Sequence, residues 1–166
     1  MTGRELIMKK LKLYLDTSVI NFLFADDAPD LKEATQDFFA NIDNYEIYIS
    51  EVVIREIVKT SDESKRERLL DIVDQHRLII LEADRMEEIA KLAQCYLDEG
   101  VIPPVKREDA EHIAYAVIHE MDILVSWNYK HLANINKERK ICIINQKQGY
   151  FYPFRMVTPL EVAKDE

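Results

Sequence analysis

Three acidic residues stand where an acid is hard to explain as ordinary surface. In KLYLDTSVINFLF (residues 12–24), Leu13, Tyr14 and Leu15 read as a buried strand that stops on Asp16; Thr17 and Ser18 follow, and the apolar pattern then resumes. A carboxylate at the end of a buried strand is costly unless something compensates it, so Asp16 is either a helix cap or a functional group. Glu56 follows Val52 and Val53 by four and three residues, which puts it on their side of a helix. Its plain reading is an acid at the stripe's edge that reaches water. Glu51, one turn before Arg55, instead reads as half of a solvated pair. Asp109 falls in the first turn of a helix, where the macrodipole favours an anion, and a simple helix-start role would satisfy it. Glu108 and Glu111 would serve that dipole equally, yet Asp109 adjoins Ala110 and precedes Ile113 by four, nearer the apolar stripe.

Such acids gathered at one place would raise each other's pKa unless a cation were supplied. Hard carboxylate oxygens select Mg²⁺ or Mn²⁺ over zinc. An ion of that kind binds a phosphodiester oxygen, lowers the pKa of an attacking water and balances the leaving oxygen.

The elements that must position these acids alternate along the chain. Strand-like runs are Lys12–Leu15, Glu46–Ile49, Leu78–Leu81, Ile123–Val125 and Ile141–Ile144. Helical patterns cover Asp30–Asn41, Glu51–Lys59 after the N-cap Ser50, Glu63–His76, Arg85–Glu99 with Gly100 as its stop, and Arg107–Glu120 after Val101-Ile102-Pro103-Pro104. Thr158-Pro159-Leu160-Glu161 is a capping box with proline at the first helical position. Short strands alternating with helices predict an α/β fold with a mostly parallel sheet. Sites in such sheets gather at the carboxyl edge, where Asp16, Ser50 and the segment Ser126-Trp127-Asn128 all fall.

Length and composition bound the rest. The 166 residues, 48% hydrophobic and 32% charged, suit one soluble domain with a substantial core. Residues 1–10 read as an N-terminal extension, with Met8 an alternative start, and residues 11–164 as the domain. No apolar run reaches membrane-spanning length, and MTGRELIMKK lacks a signal-peptide core, so a cytoplasmic protein is expected. A net charge of −9, from 31 acids and 22 bases, argues against a generic nucleic-acid coat but not against an enzyme that grips phosphate through cations. Cys95 and Cys142 form no C-x-x-C pair and read as reduced core residues.

Four segments in order, LYLDTSVINFLF, ISEVVIREI, EDAEHIAYA and ILVSWNYKHLANI, resemble the PIN-domain family over roughly residues 11–145. The resemblance implies a three-layer α/β/α fold with a short central parallel sheet. It also implies a Mg²⁺- or Mn²⁺-dependent ribonuclease, the VapC-type toxins of toxin–antitoxin pairs being among the members. Residue by residue, Asp16, Glu56 and Asp109 match the family's metal-binding acids, and Ser18 matches its small hydroxyl residue, with Thr17 a lesser helper. A homodimer and an antitoxin partner are implied as well. The departure is SWNYKH: many active members carry a fourth acid here, where this chain has Asn128 and His131. Asn128 can still orient a water or phosphate. Glu111 and Asp122 are the nearest replacement acids, Asp122 lying before the strand and so at the opposite edge.

Other residues have plainer accounts. His112, three after Asp109, reads as a helix-surface histidine, with a base or ligand as its functional alternative. Trp127 reads as packing rather than base stacking. Lys130 and His131, with Lys106 and Arg107, would frame an acidic cleft with positive charge. GYFYPF (residues 149–154) reads as a core flap before an exposed contact. A haloacid-dehalogenase phosphatase is the weaker enzyme rival, since Ser18 stands where that family places an acid. The non-enzymatic rival is a degenerate PIN-like domain that binds a protein partner or RNA without cleavage.

Overall fold

The computed structural model describes residues 9–162, so the expected extension lies mostly outside the described residues. Among the described residues, five short strands, all parallel, form one sheet: β1 (Lys12–Leu15), β2 (Glu46–Ile49), β3 (Ile79–Ile80), β4 (Ile123–Val125) and β5 (Arg155–Val157), in the order β3-β2-β1-β4-β5. β1 is the centre, with Leu13 beside Ile47 on one flank and Ile123 on the other. Leu13, Tyr14 and Leu15 are fully buried, as a strand covered on both faces requires.

Strand side chains alternate between faces, and two cores result. Tyr14, Leu124 and Met156 point into one with α5 (Met86–Asp98), α6 (Arg107–Ile118) and α7 (Ile135–Lys147). Leu13, Leu15, Ile47, Ile49, Val125 and Val157 point into the other, with α1 (Thr17–Asn21), α2 (Pro29–Ala40), α3 (Glu51–Val58), α4 (Glu63–Gln75) and α8 (Pro159–Val162). The architecture is therefore the expected three-layer α/β/α sandwich. Among the described residues, no helix is long and apolar enough to cross a membrane.

Local signals act as read. Ser50 caps α3 by accepting from the Val52 N–H at 3.2 Å. Glu161 closes the capping box on the Thr158 N–H at 2.6 Å. One expected strand is wrong. Ile141–Ile144 lies inside α7, and the last strand is Arg155–Val157 instead. The apolar run ICII buries only Ile141 and Ile144, a spacing of three that suits a helix face, while Ile143 is half exposed. The GYFYPF segment divides: Phe154 is buried beside β5, while Phe151 and Tyr152 are exposed. Cys95 and Cys142 are free but only partly buried, rather than core residues, and Cys95 packs against the first core from its margin.

Candidate active site

The parallel sheet delivers its strand ends to one edge, and a cleft of about 330 Å³ opens there, lined by Asp16, Thr17, Ser18, Asn21, Glu56, Asp109, His112 and Asn128. All three acids singled out from the sequence line it, together with Ser18 and Asn128. Asp16 stands in extended backbone at the N-cap of α1, yet neither of its oxygens caps that helix. Ser18 donates to its Oδ1 at 2.6 Å and Ser126 to its Oδ2 at 2.6 Å. Both serines are themselves fixed, Ser18 Oγ accepting from the Trp127 N–H at 2.9 Å and Ser126 Oγ from the Asn128 N–H at 2.9 Å. The β4 loop thus clamps the β1 acid.

Glu56 takes two donors on one oxygen. Thr17 Oγ1 donates to its Oε1 at 2.5 Å, and His112 Nε2 stands 2.8 Å from the same atom. Asp109, in the first turn of α6, accepts from Asn128 Nδ2 at 3.2 Å. Asn128 Oδ1 meanwhile accepts from the Lys130 and His131 N–H groups, so the amide braces its own loop and reaches Asp109 at once.

The electrostatics follow from burial and crowding. Burial pushes the Asp16 carboxyl up, and the His112, Ser126 and Ser18 contacts only partly oppose this. Burial, with Asp16 and Glu56 nearby, lifts Asp109 to about 6. For Glu56, burial again acts upward, but the hydrogen bond and charge of His112, with the Thr17 hydrogen bond and the Arg55 charge, together outweigh it and the pKa falls. His112 is held above its ordinary value because Glu56, Asp16 and Asp109 outweigh its own burial. Two of the three acids therefore lack a sufficient counter-charge, while Glu56 has one. Among the described residues, no three Asp, Glu, His or Cys side chains are gathered closely enough to enclose an ion.

No family model matches the sequence, and no curated protein matches it. Among solved structures, the chain is similar to a chain of the crystal structure of VapBC2 from Rickettsia felis bound to a DNA fragment from their promoter. The TM-score is 0.53 at 16% identity, over 87% of this chain and 97% of that one. The fold is PIN-like. At this identity the likeness speaks for the fold, and it agrees loosely with the family resemblance carried by the four sequence segments.

Within this PIN-like fold the departures from the sequence reading are specific. His112 is no surface histidine: it is 2% exposed and sits behind Glu56. The only available signal was its place between Ala110, Ile113 and Ala114 on a helix whose entire middle is buried. Ser126 also carries more than its edge position announced. Trp127 is buried and donates to Thr35 Oγ1 at 2.8 Å, as packing predicts. His131 is buried as well rather than at the rim, and burial with Lys130, Lys137 and Lys106 nearby lowers its pKa. Arg107 turns to Gln94 at 2.9 Å. Glu111, one replacement acid, is paired with Arg55 at 2.7 Å, and Arg55 also holds Glu51 as expected. Asp122 lies at the far edge of the sheet, where it accepts from the Lys12 N–H at 2.8 Å.

Proposed function

We propose that the chain is a Mg²⁺- or Mn²⁺-dependent ribonuclease that hydrolyses RNA phosphodiester bonds as the toxin of a toxin–antitoxin pair. The observation that carries the reading is the convergence of Asp16, Glu56 and Asp109 on one cleft at the carboxyl edge of the sheet. The donor set fits a hard divalent cation: oxygen-only acids, two of them raised in pKa by burial and, to a lesser degree, by the neighbouring acids. Asp16 and Asp109 would hold it, with Oε2 of Glu56, which has no donor among the described residues. When bound, the ion supplies charge neutralisation for the phosphate and for the leaving oxygen.

The chain's own residues do the positioning. Ser18 and Ser126 hold both oxygens of Asp16 and leave it remaining lone pairs. Asn128 holds Asp109, and as an amide it adds a donor where another acid would add a fourth negative charge. Asn21 and Thr17 complete the polar wall against which a phosphodiester would lie. An antitoxin partner is supported by the solved neighbour, itself from a VapBC2 assembly on DNA; a homodimer follows from the family resemblance, and a cytoplasmic setting is part of the same proposal.

A second reading, a PIN-like domain that binds RNA or a protein without cutting, draws on two observations. Glu56 is already paired with His112, and among the described residues no three side chains close around an ion. Incubating the protein with mixed structured and single-stranded RNAs in Mg²⁺ or Mn²⁺ separates the two. Cleavage lost in Asp109→Ala supports the nuclease; no cleavage in either metal leaves the binding domain.

A further inference from the structure

An unbroken chain of hydrogen bonds runs from the N-cap of α3 to the cleft. Ser50 Oγ and Tyr14 OH are 2.7 Å apart, Tyr14 OH and His112 Nδ1 2.7 Å, and His112 Nε2 and Glu56 Oε1 2.8 Å. Tyr14, Ser50 and His112 are each buried; Ser50 serves the fold as the cap of α3, but a Phe and a Leu would fill the places of Tyr14 and His112 without burying polar atoms.

The proton count is restrictive. Ser50 Oγ accepts from the Val52 N–H, which leaves its hydroxyl proton for Tyr14 or its second lone pair to accept from it. If Ser50 donates to Tyr14, Tyr14 donates to Nδ1, and the neutral imidazole carries its proton on Nε2. If Tyr14 donates to Ser50, then Nδ1 donates to Tyr14, and an ionised Glu56 is satisfied only by a charged imidazole, again with a proton on Nε2. With Glu56 a carboxylate, every satisfied arrangement therefore aims an N–H at it. Thr17 meets the same Oε1 from the other side, so one oxygen is pinned twice and Oε2 is left open.

The geometry points to His112 as a positioning residue, backed by Tyr14 and Ser50, that fixes the Glu56 carboxylate so that Oε2 is presented to the cleft. The inference rests on the proposed reading only in taking Glu56 as part of the cleft's machinery. Removing a partner that orients a metal-binding side chain commonly costs ten- to a hundredfold in affinity, roughly.

Two measurements test it. Imidazole ¹⁵N–¹H correlation spectra of the full chain should show a proton on His112 Nε2 that shifts in Glu56→Gln. Calorimetric titration with Mn²⁺ alone should show binding weakened about tenfold in His112→Ala, largely restored in His112→Gln, whose amide can donate from the same place, and weakened about threefold in Tyr14→Phe. Circular dichroism checks each fold. If His112→Ala does not fold, Tyr14→Phe, which keeps its ring, decides. An Nε2 without a proton, or folded His112→Ala and Tyr14→Phe variants that bind Mn²⁺ as the wild type does, would overturn the inference. If the wild type binds no Mn²⁺, the cation reading of the cleft fails, and the imidazole spectrum alone decides the role of His112.

Discussion

Each edge of the sheet carries a buried or half-buried aspartate next to a strand, and the two are treated differently. At the amino edge, Asp122 accepts from a backbone N–H, that of Lys12 at 2.8 Å, and from Tyr152 OH at 2.7 Å. It staples β4 to the start of β1 and to the C-terminal segment. At the carboxyl edge, Asp16 accepts only from serine hydroxyls, lines an open cleft, and lies near two further acids. A carboxylate that satisfies backbone donors is part of the scaffold. One held by side chains, beside like charges, is available for a ligand, and the scaffold tolerates its raised pKa.

The largest test of this contrast is catalytic. Asp16→Asn is expected to lower RNA cleavage by roughly a thousandfold or more, about 4 kcal/mol of barrier, while Asp122→Ala leaves the rate per folded molecule unchanged; a gel assay on a common RNA pool reads both. Next, Mn²⁺ at about a hundred times its dissociation constant should stabilise the wild type by about 2.7 kcal/mol, seen as a higher thermal midpoint. Asp16→Asn should lose that gain and Asp122→Ala should keep it. Asp122→Ala should instead cost about 1–2 kcal/mol in urea unfolding, because it leaves the Lys12 N–H without its partner.

The smallest effect is a pH dependence. Asp109 sits at about 6, against an ordinary 3.8, so the folded state holds its proton more tightly than the unfolded chain does. Its contribution to stability is complete below the ordinary value and is lost as pH rises through about 6. Without added cation, Asp109→Asn should therefore be more stable than the wild type near neutral pH by about 1 kcal/mol after allowance for solvent. The difference should vanish in denaturation curves taken near pH 4.

Much of this contrast was legible in the sequence, because it depends on position within elements. An acid ending a buried strand, an acid after two valines and an acid opening an alanine-rich helix each mark a place, and the parallel sheet brings those places together. Asp122 was legible too, since an acid before a strand belongs to the other edge. What escaped reading depends on side-chain direction in three dimensions. His112 looks like any helix histidine until Tyr14 and Glu56, distant in the chain, are found at its two nitrogens. Ser126 gains its role only when β4 lies against β1. The exchange of Ile141–Ile144 for Arg155–Val157 as the last strand has another cause: a four-residue apolar run has no period long enough to distinguish strand from helix.

The central place of β1 has a consequence for biosynthesis. Leu13 pairs with Ile47 on one flank and Ile123 on the other, so one flank of β1 waits for a strand made far later, and a contact of that span forms only after a long loop has closed. Asp16 and Glu56 are translated early, but Asp109, Ser126 and Asn128, which complete the cleft, come late. Under the proposed function, the nascent polypeptide would be harmless to the message encoding it until late in its own translation.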